Sequence, residues 1–128
     1  MEKIFIGVAW PYANGPMHLG HLAGVYLPAD IFSRFHRLNG NEVLMVSGSD
    51  MHGTPITVTA QQQNKTPEEV ALHYHQVHSE TLKQMSINFD NYTNTHTPEH
   101  ADVVRDLLGT LEKNDHITTK ITEEPYDP

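Results

Sequence analysis

The chain has 128 residues, eight basic against sixteen acidic side chains, a formal charge of −8, 38% hydrophobic residues and no cysteine. Its length suits one domain with a real core. The composition excludes a disulfide framework or a thiolate zinc site, and it leaves the chain without the clustered Lys and Arg needed to grip nucleic acid by itself. No apolar run approaches the ~20 residues of a membrane span, and the run after Lys3 is too short for a signal peptide. An intracellular, cytoplasmic protein without membrane contact is the expectation.

Ile4 to Ala9 reads as a buried parallel strand ended by Pro11. From Met17 to about Leu38, Leu22, Val25, Ala29 and Phe32 recur at helical spacing, with Ile31, Phe35 and Leu38 beside them. Pro28 removes a hydrogen bond to the Gly24 carbonyl and should kink that helix, and Asn39-Gly40 stops it. Val43 to Val46 is a second buried strand, which completes a βαβ unit. A turn-rich loop, Ser47 to Pro55, precedes a short helix over Ile56 to Gln63. Thr66-Pro-Glu-Glu69 is a capping box opening a helix to about Met85. Asn91 to Thr95 is read as a strand, Thr97-Pro98-Glu99 opens a helix to Asn114, and His116 to Thr122 alternates like a strand. In that last helix Val103, Val104, Leu107, Leu108 and Leu111 form one apolar face. The expected class is α/β, a Rossmann-like parallel sheet with flanking helices. Glu123 to Pro128 has no structural ending, which predicts a chain cut within a longer protein.

Two loops carry the chemistry. Pro11-Tyr-Ala-Asn-Gly-Pro-Met-His-Leu-Gly-His21 runs from the first strand into a helix. A helix start presents unpaired N–H groups and a positive dipole end, so it suits phosphate. His18 and His21 are three apart and can aim N–H donors at one anion, and Gly20 leaves room for a flat group near the backbone. Gly48-Ser-Asp-Met-His-Gly-Thr-Pro55 follows the second strand, and ligands of open α/β sheets bind beyond the carboxyl ends of strands. Asp50 beside a phosphate site suggests a substrate with both an ammonium group and a triphosphate.

These blocks, with Ala9-Trp10 before the first, resemble the methionine-specific class I aminoacyl-tRNA synthetases, whose HIGH signature the first block matches. Tyr26 to Ile31 has an archaeal-type look, and the similarity continues from Asn91-Tyr92 to Tyr126-Asp127-Pro128. The resemblance implies ATP-dependent activation of methionine to methionyl-adenylate, then transfer to tRNA(Met). It implies His18 and His21 as catalytic donors, with Tyr12, Asn14, Gly15, His18, Gly20 and His21 on ATP. Methionine would meet Ala9, Trp10, Tyr12, Asp50 and His52, with Asp50 on the ammonium and Tyr12 beside the side chain. Mg²⁺ is expected with ATP, without an assignable ligand. Residues 1–128 would be the N-terminal part of the catalytic domain. The family's zinc-bearing connective domain, lysine-rich KMSKS signature and anticodon-binding helices would lie downstream, with most of the tRNA contacts. The fragment alone is expected to be inactive, and exposed faces could make it self-associate.

Plainer readings compete. His18 and His21 could be a structural cap or a metal pair; Asp50 and Asn14 could only hold turns; His52 could pack beneath its loop; Trp10 could cap the sheet edge. Among His73, His75 and His78, with His96 and His100, the pairs His75/His78 and His96/His100 have helical spacing, but no carboxylate completes a familiar ligand set. Met45, Met51 and Met85 read as core or loop filling. A small nucleotidylyltransferase and a non-catalytic ATP-binding module are the rival functions.

Overall fold

A computed structural model of the chain describes residues 1–123. The expected similarity around Tyr126-Asp127-Pro128 lies outside the described residues. Three strands, β1 (Lys3–Gly7), β2 (Glu42–Ser49) and β3 (Asn91–Asn94), form a parallel sheet in the order β1-β2-β3. Ile6 pairs with Met45, and Gly48 pairs with Thr93. Between them run α1 (Leu19–His21), a π-helical turn (Leu22–Tyr26), α2 (Leu27–Leu38), α3 (Thr54–Gln63) and α4 (Pro67–Gln84). The contacts divide the chain into two units, Met1–His96 and a second from Thr97 on, which holds α5 (Pro98–Lys113).

The Rossmann-like expectation holds, with β2 central. β2 is longer than the apolar run Val43 to Val46 suggests, because Ser47, Gly48 and Ser49 continue it into what reads as loop. All three are buried, and they pair with β3. β1, by contrast, is an edge strand ending at Gly7, not a buried strand to Ala9: Phe5 is 69% exposed, and its partner Leu44 is 50% exposed. Paired residues share a face in a parallel sheet. Ile6, Met45 and Val8 pack instead with Tyr26, Leu82 and Ile87 in one core cluster. A second cluster, Ala13, Met51, Ile56, Ala60, Val70 and Ala71, joins α3 and α4 beneath the two unusual loops.

Pro28 has the expected effect in a particular form. Lacking an N–H, it cannot continue the i→i−4 ladder, and the preceding turn widens, with the Leu27 N–H donating to Leu22 O. The expected apolar face of this helix is only partly used: Leu22, Val25 and Ala29 pack on the core, while Ile31, Phe32, Phe35 and Leu38 are exposed. Met45 and Met51 are buried; Met85 is exposed. The Thr66 and Glu69 capping box opens α4, with both reciprocal bonds formed. Thr97 caps α5 at His100. Val103, Val104, Leu107 and Leu108 on α5 are exposed. His116 to Thr122 is not a strand: it pairs with nothing among the described residues, and its side chains are exposed. An alternating pattern stabilises a strand only where a neighbouring strand accepts its ladder.

Candidate functional site

The two blocks interlock backbone to backbone. The Asp50 N–H donates to Pro11 O at 2.8 Å, and the Ala13 N–H donates to Asp50 O at 2.9 Å. Aromatic rings at the start of the first block and just before it lie on glycines of the second. Trp10 stands over Gly48, where a Cβ would come within 2.7 Å of its ring, and Tyr12 stands 3.2 Å from the corresponding point at Gly53. Gly53 has φ 124°, a conformation that L side chains rarely adopt. Trp10 therefore covers the carboxyl end of the central strand. Trp10 and Tyr12 stay 37% and 47% exposed, leaving ring surface free for a ligand. The Ala9 carbonyl is engaged, lying 3.3 Å from both the Tyr26 and Ser47 hydroxyls.

His18 is the N-cap of α1 and forms a reciprocal cap with His21. The His21 N–H donates to His18 Nδ1, and the His18 N–H donates to His21 Nδ1, each at 3.3 Å. The rings stack, with centroids 3.7 Å apart. The capping reading is thus correct, and it does not compete with a donor role. A backbone N–H can only donate, so each Nδ1 must accept, and each neutral ring carries its proton on Nε2. Burial, then the neighbouring His18 ring, push His21 below the ordinary histidine value, which favours that neutral form. Gly20 also makes room within the protein. A Cβ there would lie 3.0 Å from His18 Cε1 and Nδ1, so the vacant space admits the His18 ring.

Asp50 forms a turn with one oxygen and leaves the other free. Its Oδ1 lies 3.1 Å from the donating His52 N–H and 3.4 Å from the Thr95 hydroxyl. The Thr95 hydroxyl oxygen accepts the Met51 N–H at 2.8 Å, tying the block to the end of β3. The second Asp50 oxygen has no partner among the described residues. His52 does not pack beneath its loop; it is exposed, its ring 5.3 Å from that of His96. Glu68 lies 3.6 Å from His96, and these residues line a side cavity of about 360 Å³.

Sequence reasoning missed the layer beneath. The Asn14 carbonyl faces the Thr59 hydroxyl at 3.3 Å, and the Gly15 carbonyl faces His78 Nε2 at 2.7 Å. Ser49 Oγ lies 3.0 Å from His75 Nδ1, 3.1 Å from the Tyr92 hydroxyl and 3.5 Å from His78 Nδ1. His78 is 1% exposed. Its helical offset from Ala71 and Leu82, both buried, was the signal that would have found it. Among the described residues no three His, Asp or Glu side chains converge as metal ligands.

Burial pushes both His75 and His78 below the ordinary histidine value; the Gly15 carbonyl opposes this at His78 without reversing it. In the unfolded chain both titrate near ~6.5. Below that pH the unfolded chain takes up protons that the folded chain refuses, so stability falls as pH drops. The slope is at most about 1.4 kcal/mol per pH unit for each group. Urea midpoints should be level from pH 8 to 7 and decline from pH 6.5 to 5.5. A flat profile to pH 5.5 would remove the buried neutral histidines.

The model of the family "tRNA synthetases class I (M)" matches residues 4–128. A methionine–tRNA ligase of Thermomicrobium roseum is 54% identical over 125 residues, which are 98% of this chain and 21% of that protein. The corresponding ligase of Picrophilus torridus is 50% identical over 98% of this chain and 18% of its own length. The chain thus spans about a fifth of the length of these relatives. A solved structure, Mycobacterium tuberculosis methionyl-tRNA synthetase in complex with methionyl-adenylate, shares the fold with TM-score 0.85 and 23% identity. That likeness covers 90% of this chain and 22% of the other. With two interlocked blocks on a Rossmann-like sheet and a family match over nearly its whole length, the chain belongs to the class I tRNA synthetases (M).

Proposed function

We propose that these residues form the ATP- and methionine-facing N-terminal part of a cytoplasmic methionine–tRNA ligase, whose remaining domains lie in further sequence. The observation that carries this reading is the reciprocal histidine cap, which leaves two Nε2–H donors side by side next to a loop with one free carboxylate oxygen. A methionine carboxylate oxygen attacks the α-phosphorus of ATP; the bond from that phosphorus to the bridging oxygen breaks, and pyrophosphate leaves. His18 and His21 donate to phosphate oxygens as charge grows there. The donors are already placed, so little reorganisation is required. The Asn14–Gly15 peptide adds a donor, because a trans peptide aims its N–H opposite its carbonyl, and the Asn14 carbonyl is turned to α3. Asp50 holds the methionine ammonium with its free oxygen, between the exposed rings of Trp10 and Tyr12. His52 borders the same loop. The activated methionyl group then passes to tRNA, held by regions outside this chain.

Mg²⁺ would accompany the nucleotide and neutralise charge on its phosphates, and no side chain of this chain is assigned to it. A thiolate zinc site cannot be built from this chain, which has no cysteine.

The test is a chimera in which this chain replaces the aligned segment of the Thermomicrobium roseum ligase. It should catalyse methionine-dependent ATP–pyrophosphate exchange at a rate comparable to the parent, while the 128-residue chain alone gives none. A folded chimera without exchange, or one driven by another amino acid, would overturn the reading.

A further inference from the structure

We propose that His78 is a positioning residue: with Ser49 as its relay, it sets the Asn14–Gly15 turn of the first block and ties that turn to the second block. It acts through the Gly15 carbonyl and touches no substrate. This inference rests on the adenylation reading for its consequence in catalysis, but its structural content stands on its own.

The proton inventory fixes the direction of the bond to Gly15 and favours one arrangement around Ser49. A carbonyl can only accept, so His78 Nε2 must carry a hydrogen for its 2.7 Å contact with Gly15 O. In a neutral ring Nδ1 then accepts, and its neighbour is the Ser49 hydroxyl. Ser49 has one hydrogen and two lone pairs. Donating to His78 lets it accept from the Tyr92 hydroxyl and from His75 Nδ1–H, which satisfies all four groups at once. Donating to His75 instead would leave His78 Nδ1 buried without a partner, a cost of about 1–3 kcal/mol. The Tyr92 ring stacks on His75 with planes 7° apart, which holds both beside Ser49.

The connection joins the two halves of the site. Gly15 sits in the first block, three residues before the cap residue His18. Ser49 is the last residue of β2 and precedes Asp50. The His78 ring spans them from α4, and the Thr59 hydroxyl of α3, which shares its one hydrogen between the Asn14 carbonyl at 3.3 Å and the Pro55 carbonyl at 3.0 Å, faces the adjacent Asn14. Both carbonyls of the turn are thereby drawn towards helices. The orientation of the Asn14 carbonyl presents the Gly15 N–H on the other side; the Gly15 carbonyl belongs to the peptide with Pro16, which has no N–H, so His78 acts by fixing where that part of the turn lies. Burial keeps His78 neutral, consistent with an Nδ1 that accepts.

Nitrogen-15 NMR on the 128-residue chain tests this directly. Long-range ring spectra at pH 7 should show His78 with its proton on Nε2. His78→Phe, which keeps the ring and loses both nitrogens, should displace the amide resonances of Asn14, Gly15 and His21. His78→Gln, whose amide N–H can reach the Gly15 carbonyl, should return them towards wild type. In the chimera, His78→Phe should lower kcat for exchange on the order of tenfold to a hundredfold with methionine KM unchanged, and His78→Gln should recover most of it. A proton on Nδ1, or a folded His78→Phe variant with unmoved Asn14 and Gly15 amides, would overturn the proposal. Absence of exchange in the unsubstituted chimera would instead count against the adenylation reading, so the two failures are distinguishable.

Discussion

His21→Ala should slow methionyl-adenylate formation on the order of 10²–10³-fold in the chimera, with methionine KM nearly unchanged, because a donor aimed at developing charge contributes chiefly in the transition state. Alanine also deletes the acceptor for the His18 N–H, and loss of a cap bond costs about 1 kcal/mol of stability. The two effects separate by chemistry. His21→Asn places an amide oxygen near the Nδ1 position, so the cap survives while the Nε2–H is gone: stability near wild type, rate near that of alanine. His21→Gln places an amide N–H near the Nε2 position and loses the cap acceptor: lower stability, much of the rate retained. Single-turnover exchange and urea unfolding on the same three variants read both quantities. Equal losses in kcat/KM and methionine affinity would show uniform binding instead. Rate following stability across the series would mean that His21 only caps its helix.

Much of this arrangement was legible in the sequence, and the parts that were not have identifiable causes. Helices with chemical start signals, Thr66 with Glu69 and Thr97 with Pro98, begin where local hydrogen bonding requires. Pro28 marks its break because the missing N–H is a local fact. The end of β2 was hidden because Ser47, Gly48 and Ser49 look like turn formers. They are strand because β3 and the buried hydroxyl network accept them, and that pairing spans more than forty residues of sequence. His116 to Thr122 fails in the opposite direction: a strand pattern finds no ladder among the described residues. At the site, the spacing of His18 and His21 places them together, but their use of Nδ1 for capping, and so the availability of Nε2–H, needs the backbone. That Gly20 also makes room for the neighbouring His18 ring needs the backbone as well. The role of the histidines on α4 was not legible, because sequence shows their spacing and not their partners. His78 is committed to a carbonyl and His75 to a hydroxyl, while exposed His73 packs edge-on to Tyr74.

The largest loss of stability is expected from Gly48→Ala. A Cβ at this position would stand 2.4 Å from Thr93 O, 2.9 Å from Thr93 C and 2.7 Å from the Trp10 ring. Two of those neighbours are backbone atoms of the paired strand, so no rotamer change relieves them. β3 must move away from β2, which weakens the bond from the Thr95 N–H to Ser49 O and the attachment of Thr95 to Met51. Overpacking with backbone displacement costs typically 1–3 kcal/mol, occasionally more, and about 3 kcal/mol or above is expected here. Gly109→Ala is the matched control: among the described residues, nothing beyond its chain neighbours and its own helix backbone lies within 4 Å of its Cβ, and α5 should gain up to about 1 kcal/mol from the better helix former. The chain's one tryptophan, Trp10, reports the same event by fluorescence, since it must leave Gly48 for the methyl group to enter. A lowered urea midpoint with a red-shifted emission is the expected pair of changes. An unchanged midpoint would mean that the strands are not closed on Gly48. The same displacement should reach Asp50 through Ser49, so in the chimera this variant should lose exchange even under conditions where it remains folded.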